Sequence, residues 1–254
     1  MVGAGMRKLL LAVVVVLVVV AGALVVASVA LHRTTVKRHA VPAGPVSTIV
    51  VKSGAGNVDL VPAGTRLEIR ETQHYVLTKP KLEQTLAGGV LVISSTCDMK
   101  VLTCYADLRV TVPPGAAVTV DADSGDIDAT GIGVRNARAR SDSGDVRLEP
   151  AGRQQLASAR TDSGDVDVVA AAARAIDART DSGDVTVDAR SRPQRVVARS
   201  DSGDVTVTVP PGAYAVDAKA DSGDVKVEGI TIDKRAPNSI QARTDSGDVS
   251  VRAG

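Results

Sequence analysis

The tetrapeptide Asp-Ser-Gly-Asp is written seven times between Ala122 and the C-terminus of this chain, beginning at Asp123, Asp142, Asp162, Asp181, Asp201, Asp221 and Asp245. The steps between copies are 19, 20, 19, 20, 20 and 24 residues. A near-fixed period of this length marks a stacked array rather than a mixed globular domain. A degenerate eighth copy stands at Gly54 to Leu60, "GAGNVDL", with Asn57 and Val58 in place of the second Asp and its Val. A second signal, "VTVPPGA", occurs at Val110 and again at Val207 and marks a different loop.

Side-chain parity says what each copy does. In "AIDARTDSGDVTVD" the apolar or small residues before the motif, Ile176, Ala178 and Thr180, are even-numbered, whereas Val185 and Val187 after it are odd. Strand side chains alternate with period two, so the motif must shift the phase by one if both runs are to face one core. Gly183 can do so, because a positive φ is cheap only for glycine. The first Asp can hold N–H groups two residues on, as in an Asx-turn. The seven motif glycines (Gly125, Gly144, Gly164, Gly183, Gly203, Gly223 and Gly247) are therefore expected as structural turn residues. The same parity suits a plain two-residue hairpin. The favoured fold is all-β: a β-solenoid of coils of about 20 residues, two short strands per coil, stacked in parallel on one another.

Stacking at roughly 4.8 Å would align the two Asp residues of each copy into ladders, with the bases Arg140, Arg160, Arg179, Arg199, Lys219 and Arg243 facing outward beside the first Asp. Neighbouring carboxylates repel, and either the bases or a cation can offset that. If a cation does so, Asp142, Asp145, Asp162, Asp165, Asp181, Asp184, Asp201 and Asp204 are the calcium candidates. Calcium takes about six to eight oxygens.

No catalytic residues are assigned. "DSG" resembles the aspartic-protease triplet, but that chemistry needs two carboxylates sharing a proton in a shielded cleft, not many equivalent copies on an edge. His32 and His39 fall in a linker, which leaves His74 alone as a surface strand residue, without a nucleophile and base beside it.

Phe and Trp are absent and the aromatics are Tyr75, Tyr105 and Tyr214, so the core is built from Val, Ala, Leu, Ile and Thr. Such a core fills a narrow repeated cross-section, and sugar sites that stack aromatics are disfavoured with it. A net charge of +1 gives no overall electrostatic footprint for nucleic acid. From Ser47 onward the one stretch with a helical option is Val168 to Ile176, "VVAAAARAI".

Leu9 to Leu31 is 23 residues without a charge, enough at about 1.5 Å per residue to span a hydrocarbon core of roughly 30 Å. A cleaved signal peptide competes, since Arg7 and Lys8 precede the stretch and Ser28 to Ala30 could be cut, but such an apolar region is usually about 7 to 15 residues. The expected organisation is a cytoplasmic tail (1–8), a transmembrane signal anchor (9–31), a basic then Pro/Gly-rich linker (32–46), an N-terminal β region (47–120) and the Asp-Ser-Gly-Asp repeats (121–254). Cys97 and Cys104 are the two cysteines of the chain, with a spacing that suits the ends of a short hairpin. A disulfide there is worth about 2 to 3 kcal/mol and places the domain outside the cytoplasm.

One membrane helix, a short Cys pair, "VTVPPGAAVTVDADSGDIDATG" and serial "ARTDSGDV" repeats together resemble the bacterial β-strand-repeat family labelled "putative adhesin", also called toastrack. The resemblance covers Val46 to Gly254. It implies a right-handed β-helix-like domain beyond the cytoplasmic membrane, with roles in envelope-stress sensing or surface interaction, and it carries over no catalytic residues. The expected function is a membrane-anchored, non-catalytic module for cell-envelope interaction or scaffolding. Its partner would be an envelope protein or polymer, with no cofactor; the alternative is a calcium-stabilised surface adhesin.

Overall fold

The structure is a computed structural model and describes residues 13–14, 32–64, 66–98 and 103–254. The expected tail (1–8) and membrane anchor (9–31) lie outside the described residues except for Val13 and Val14, and among the described residues no helix is long and apolar enough to cross a membrane.

Everything else is strand and turn. The N-terminal strands are β1 (Arg33–Ala40), β2 (Thr48–Ser53), β3 (Val58–Pro62), β4 (Glu68–Tyr75), β5 (Lys81–Ala87), β6 (Val90–Thr96), β7 (Cys104–Val112), β8 (Ala117–Ala122) and β9 (Ile127–Thr130). The middle of the chain forms β10 (Asn136–Ser143), β11 (Val146–Glu149), β12 (Arg153–Ser163), β13 (Val166–Ala170), β14 (Ala172–Ser182) and β15 (Val185–Ala189). The last strands are β16 (Arg195–Ser202), β17 (Val205–Val209), β18 (Ala213–Ser222), β19 (Val225–Glu228), β20 (Thr231–Ile232), β21 (Ser239–Ser246) and β22 (Val249–Ala253).

These strands make two sheets of eleven, and each coil of the repeat gives one strand to each sheet. Equivalent residues pair in parallel: Ala159 with Ala178, Ala178 with Ala198, Val166 with Val185 and Val185 with Val205. The expected β-solenoid is present, and the hairpin alternative is not, because the strands on either side of each motif lie in different sheets. The parity shift is also there: Ile176, Ala178 and Thr180 before Gly183 are buried, and so are Val185 and Val187 after it. Val168 to Ile176 forms parts of β13 and β14 rather than a helical turn, since Val168, Ala170, Ala173 and Ile176 are all needed inside the core.

Coil order departs from chain order at both ends. The pair β2/β3 sits between β6/β7 and β8/β9, and the pair β21/β22 sits between β16/β17 and β18/β19. The chain therefore skips one coil position twice, between β7 and β8 and between β17 and β18. Those two connections are the repeated Val-Pro-Pro-Gly loops, Pro113-Pro114-Gly115 and Pro210-Pro211-Gly212. Proline favours an extended chain rising about 3.1 Å per residue and has no N–H to pair, which suits a segment that must pass a neighbouring coil.

The segment expected as a linker (32–46) carries β1, which pairs antiparallel with β4 across its whole length, Arg33 with Tyr75 through Ala40 with Glu68. The β4 strand is itself antiparallel to β7, and β5 to β6. These antiparallel strands close the end of the stack from which the chain starts.

Candidate functional site

The polar atoms of the repeated corner are spent on stacking. The motif glycines have φ between +115° and +142°, and a Cβ on Gly183 would overlap the carbonyl oxygen of Gly164 in the adjoining coil. Each glycine is thus required twice, for its backbone angle and for close approach. The Gly183 N–H donates to the carbonyl of Ser202 at 2.9 Å, and the Val185 N–H to the carbonyl of Asp204 at 2.9 Å.

The second Asp of six copies, rather than the first, holds backbone, and the N–H it takes belongs to the next coil rather than to its own turn. Its Oδ1 accepts from the equivalent residue one coil on: Asp126 from Asp145, Asp145 from Asp165, Asp165 from Asp184 and Asp184 from Asp204, at 2.8–3.0 Å. The ladder continues in spatial order through Asp248, which donates to Asp204, and Asp224, which donates to Asp248. In the other direction the Asp126 N–H reaches Oδ1 of Asn57, and the Asn57 N–H reaches Oδ1 of Asp107. The degenerate copy thus does the same job with an amide oxygen.

One residue earlier than the first Asp, a small hydroxyl points inward. Ser141, Thr161, Thr180, Ser200 and Thr244 are buried and donate at 2.8–2.9 Å to the glycine carbonyl of the adjoining coil. Sequence reading missed this role, although the inward parity of Thr180 and the repetition of Ser or Thr were visible.

In four copies the first Asp, at Asp142, Asp162, Asp181 and Asp221, faces the outward bases. Arg140 contacts both Asp142 and Asp162, Arg160 contacts Asp162 and Asp181, and Lys219 pairs with Asp221. Arg179 turns instead to Asp177 at 2.7 Å, and Arg243 to Asp217. The eight calcium candidates are therefore divided: Asp142, Asp162, Asp181 and Asp201 stand in the outer column, and Asp145, Asp165, Asp184 and Asp204 in the N–H-accepting one. Among the described residues no group of three His, Cys, Asp or Glu side chains could hold a metal ion.

Cys97 and Cys104 are bridged, with Cα atoms 6.0 Å apart. They do not close a hairpin. β6 and β7 lie in different sheets, so the bridge spans the same inter-sheet corner that the Asp-Ser-Gly-Asp motif makes elsewhere.

The histidines are not dispersed. His74 lies on β4 with its ring stacked on Tyr105 at 4.6 Å, its Nε2 3.1 Å from Oδ2 of Asp107, and the His32 ring 5.9 Å away. It closes the end of the Asp ladder instead of standing alone on the surface. His39, on β1, meets Oε2 of the buried Glu71 at 2.9 Å, and Glu71 Oε1 accepts from Gln73 Nε2 at 2.8 Å. Glu71 and Gln73 share the inward phase of Ile69 and Tyr75, a polar interruption of the core that the alternation of "EIRETQHY" could have exposed.

A family model described as Toastrack DUF4097 matches residues 33–252. No curated protein matches the chain. Similar solved structures include a "putative adhesin" from Bacteroides fragilis NCTC 9343, 13% identical over 87% of this chain and 97% of that one, with a TM-score of 0.42. Another "putative adhesin", from Parabacteroides distasonis ATCC 8503, is 15% identical over the same shares, with a TM-score of 0.40. A "putative lipid binding protein" from the same organism is 13% identical, again covering 87% of this chain and 97% of that one, with a TM-score of 0.37.

Proposed function

The chain belongs to the Toastrack DUF4097 family, and from that premise we propose that it is a non-catalytic binding and scaffolding module of the bacterial cell envelope. Leu9 to Leu31 anchors it in the membrane, and the β-solenoid stands outside the cytoplasm, where the Cys97–Cys104 bridge persists.

One observation supports this reading above the others: the polar groups of the repeated motif are engaged in building the stack. Inner Asp, buried hydroxyl, glycine N–H and glycine carbonyl each have a partner in an adjoining coil. What the repeat produces is a rod of nine two-stranded coils, roughly 40 Å long at about 4.8 Å per coil, with two broad sheet faces and two long edges. Such a body suits recognition of an extended partner, as in other solenoids.

The test uses the full-length chain. It is expected to be cleaved by protease added to intact cells, and, when purified, to sediment with a cell-wall fraction stripped of protein. A chain protected in intact cells, or left in the supernatant, overturns the reading.

A further inference from the structure

The edge opposite the Asp-Ser-Gly-Asp corner has the reverse charge. Its loops and the strand starts that follow them, 131–136, 150–155, 171–175 and 190–195, carry six arginines (Arg135, Arg153, Arg174, Arg190, Arg192 and Arg195) and no Asp or Glu. Arg190 reaches Glu149 and Asp188. The other five make no ion pair among the described residues, in contrast to Arg140, Arg160 and Arg179 on the motif edge.

Four of these five, Arg135, Arg153, Arg174 and Arg192, line one open groove of about 590 Å³ together with Gln155 and Gln194. Backbone pairing sets their spacing. The Gln155 N–H donates to the Arg135 carbonyl and the Gln194 N–H to the Arg174 carbonyl, each at 2.8 Å. Residues 135, 155, 174 and 194 therefore form one row across four successive coils, reading Arg, Gln, Arg, Gln. In the two coils where the row holds Gln, an arginine stands two residues upstream, at Arg153 and Arg192. The groove is thus lined by one arginine per coil, alternately on the row and two residues upstream of it, at a rise of about 4.8 Å per coil. Arg192 is already placed: its Nη2 donates to the Pro211 carbonyl at 2.7 Å and its guanidinium lies over the buried Tyr214 ring, 5.8 Å from the centroid.

We propose that this groove binds a linear phosphate-bearing polymer, lying along the stack with its charges on the staggered arginines. The inference deepens the envelope-module reading and rests on it. Guanidinium forks and amide N–H groups match phosphate oxygens in geometry as well as charge. A row of uncompensated positive charge along a groove suits a ligand whose charges recur along its length. The lining has no exposed aromatic on which bases could stack, so the polymer is of the sugar or polyol phosphate kind rather than a nucleic acid. The Asp edge of a second copy is a poorer occupant, because its outer carboxylates already face Arg140, Arg160 and Lys219.

The experiment titrates the purified full-length chain, in neutral detergent, into fluorescent inorganic polyphosphate. Saturable binding is expected, weakening about fifty-fold between roughly 50 and 200 mM salt if four phosphates are contacted. The double variant R135Q/R174Q should weaken binding by about tenfold or more, whereas K37Q/R138Q, with the same loss of net charge on exposed residues elsewhere, should leave it unchanged. Equal losses in both variants would mean diffuse attraction and overturn the groove. So would competition by orthophosphate as strong as by the polymer, binding to anionic vesicles in place of polyphosphate, tighter binding to single-stranded DNA, or growth of oligomers that the polymer does not disperse. A chain that sediments with cell-wall material but ignores polyphosphate defeats this inference and leaves the module reading standing; one that does neither defeats both.

Discussion

Oδ1 of Asp165 accepts the backbone N–H of Asp184, one coil further along the stack, at 2.8 Å. Asp162, three residues earlier, reaches only the exposed guanidinium groups of Arg140 and Arg160. The two Asp residues of one motif therefore differ in what they hold together. Asp165→Ala should cost about 1 to 2 kcal/mol, the worth of a charge-assisted bond to an N–H that stacking has fixed. Asp162→Ala should stay within about 0.5 kcal/mol, as surface pairs do. Asp165→Asn should recover most of the loss, because Asn57 fills the same position and accepts the Asp126 N–H at 2.9 Å. Urea midpoints of the three variants measure this, and equal losses at 162 and 165 would remove the ladder from the stability argument.

Gly183 has φ +135°, and a Cβ there would run into the Gly164 carbonyl of the adjoining coil. Gly183→Val should prevent that pair of coils from stacking or lower stability by more than about 3 kcal/mol. Ser182→Ala, at an exposed side chain, should change it by less than about 0.5 kcal/mol. Thermal melts of the two variants provide the comparison; similar midpoints would contradict the turn geometry.

The repeat was legible because strand parity and glycine chemistry act locally. Ile176 to Thr180 and Val185 to Val187 could share a core only if the chain changed phase between them, and Gly183 was the residue able to do it. Coil order was not legible for a physical reason: near-identical coils present near-identical edges, so the Val249 run pairs with Val205 on one side and Val225 on the other equally well. Nothing in the motif selects the neighbour. The selection lies in the connections, where two Val-Pro-Pro-Gly loops make the skips and the longer step before Asp245 makes the return. At the closed end the antiparallel pairing of β1 with β4 was hidden because "RTTVKRHA" is polar on both faces, and its two inward residues, Thr35 beside the Tyr75 hydroxyl and His39 over Glu71, are polar themselves.

Because β21/β22 lies between β16/β17 and β18/β19, the last residues of the repeat act as an internal layer. Removing Ser239–Gly254 should strand β18 and β19 as well as deleting β21 and β22. Hydrogen exchange reads this directly: amides of 213–228 should lose protection in the truncated protein while those of β12 to β15 keep theirs. Retained protection at 213–228 would mean that β18/β19 can close onto β16/β17, and that the coil order is not obligatory.

Asp167 lies on β13 beside Arg147 of β11. Burial pushes its carboxyl above the usual Asp range; Arg147 opposes the shift, and Glu149 and Asp188 add to it. A raised folded value means that the native state holds the proton more tightly than the unfolded chain does. Its favourable contribution is complete below the ordinary Asp value of about 3.9 and is lost as pH rises through the folded value. Asp167→Asn should therefore raise Tm at neutral pH and have little effect near pH 3. The same offset at both pH values would show that the gain came from something other than the charge.

Calcium is expected to leave the melting temperature where EDTA puts it. Two columns of Asp spaced about 4.8 Å apart look like a cation ladder, and at an effective dielectric near 20 neighbouring charges would repel by about 3 kcal/mol. The structure offsets that repulsion with its own groups. Each inner carboxylate from Asp126 to Asp204 takes an N–H dipole from the next coil, and in the outer column Asp142, Asp162, Asp181 and Asp221 face Arg140, Arg160 and Lys219. An ion seeking about six to eight oxygens would have to compete with those partners while drawing carboxylates from coils that stacking holds apart. Melts of the full-length protein across a calcium titration decide the matter. A saturable rise of several degrees would mean that the remaining Oδ2 atoms converge on an ion and that the Asp columns are a binding site; a flat response leaves the motif as a device for stacking coils.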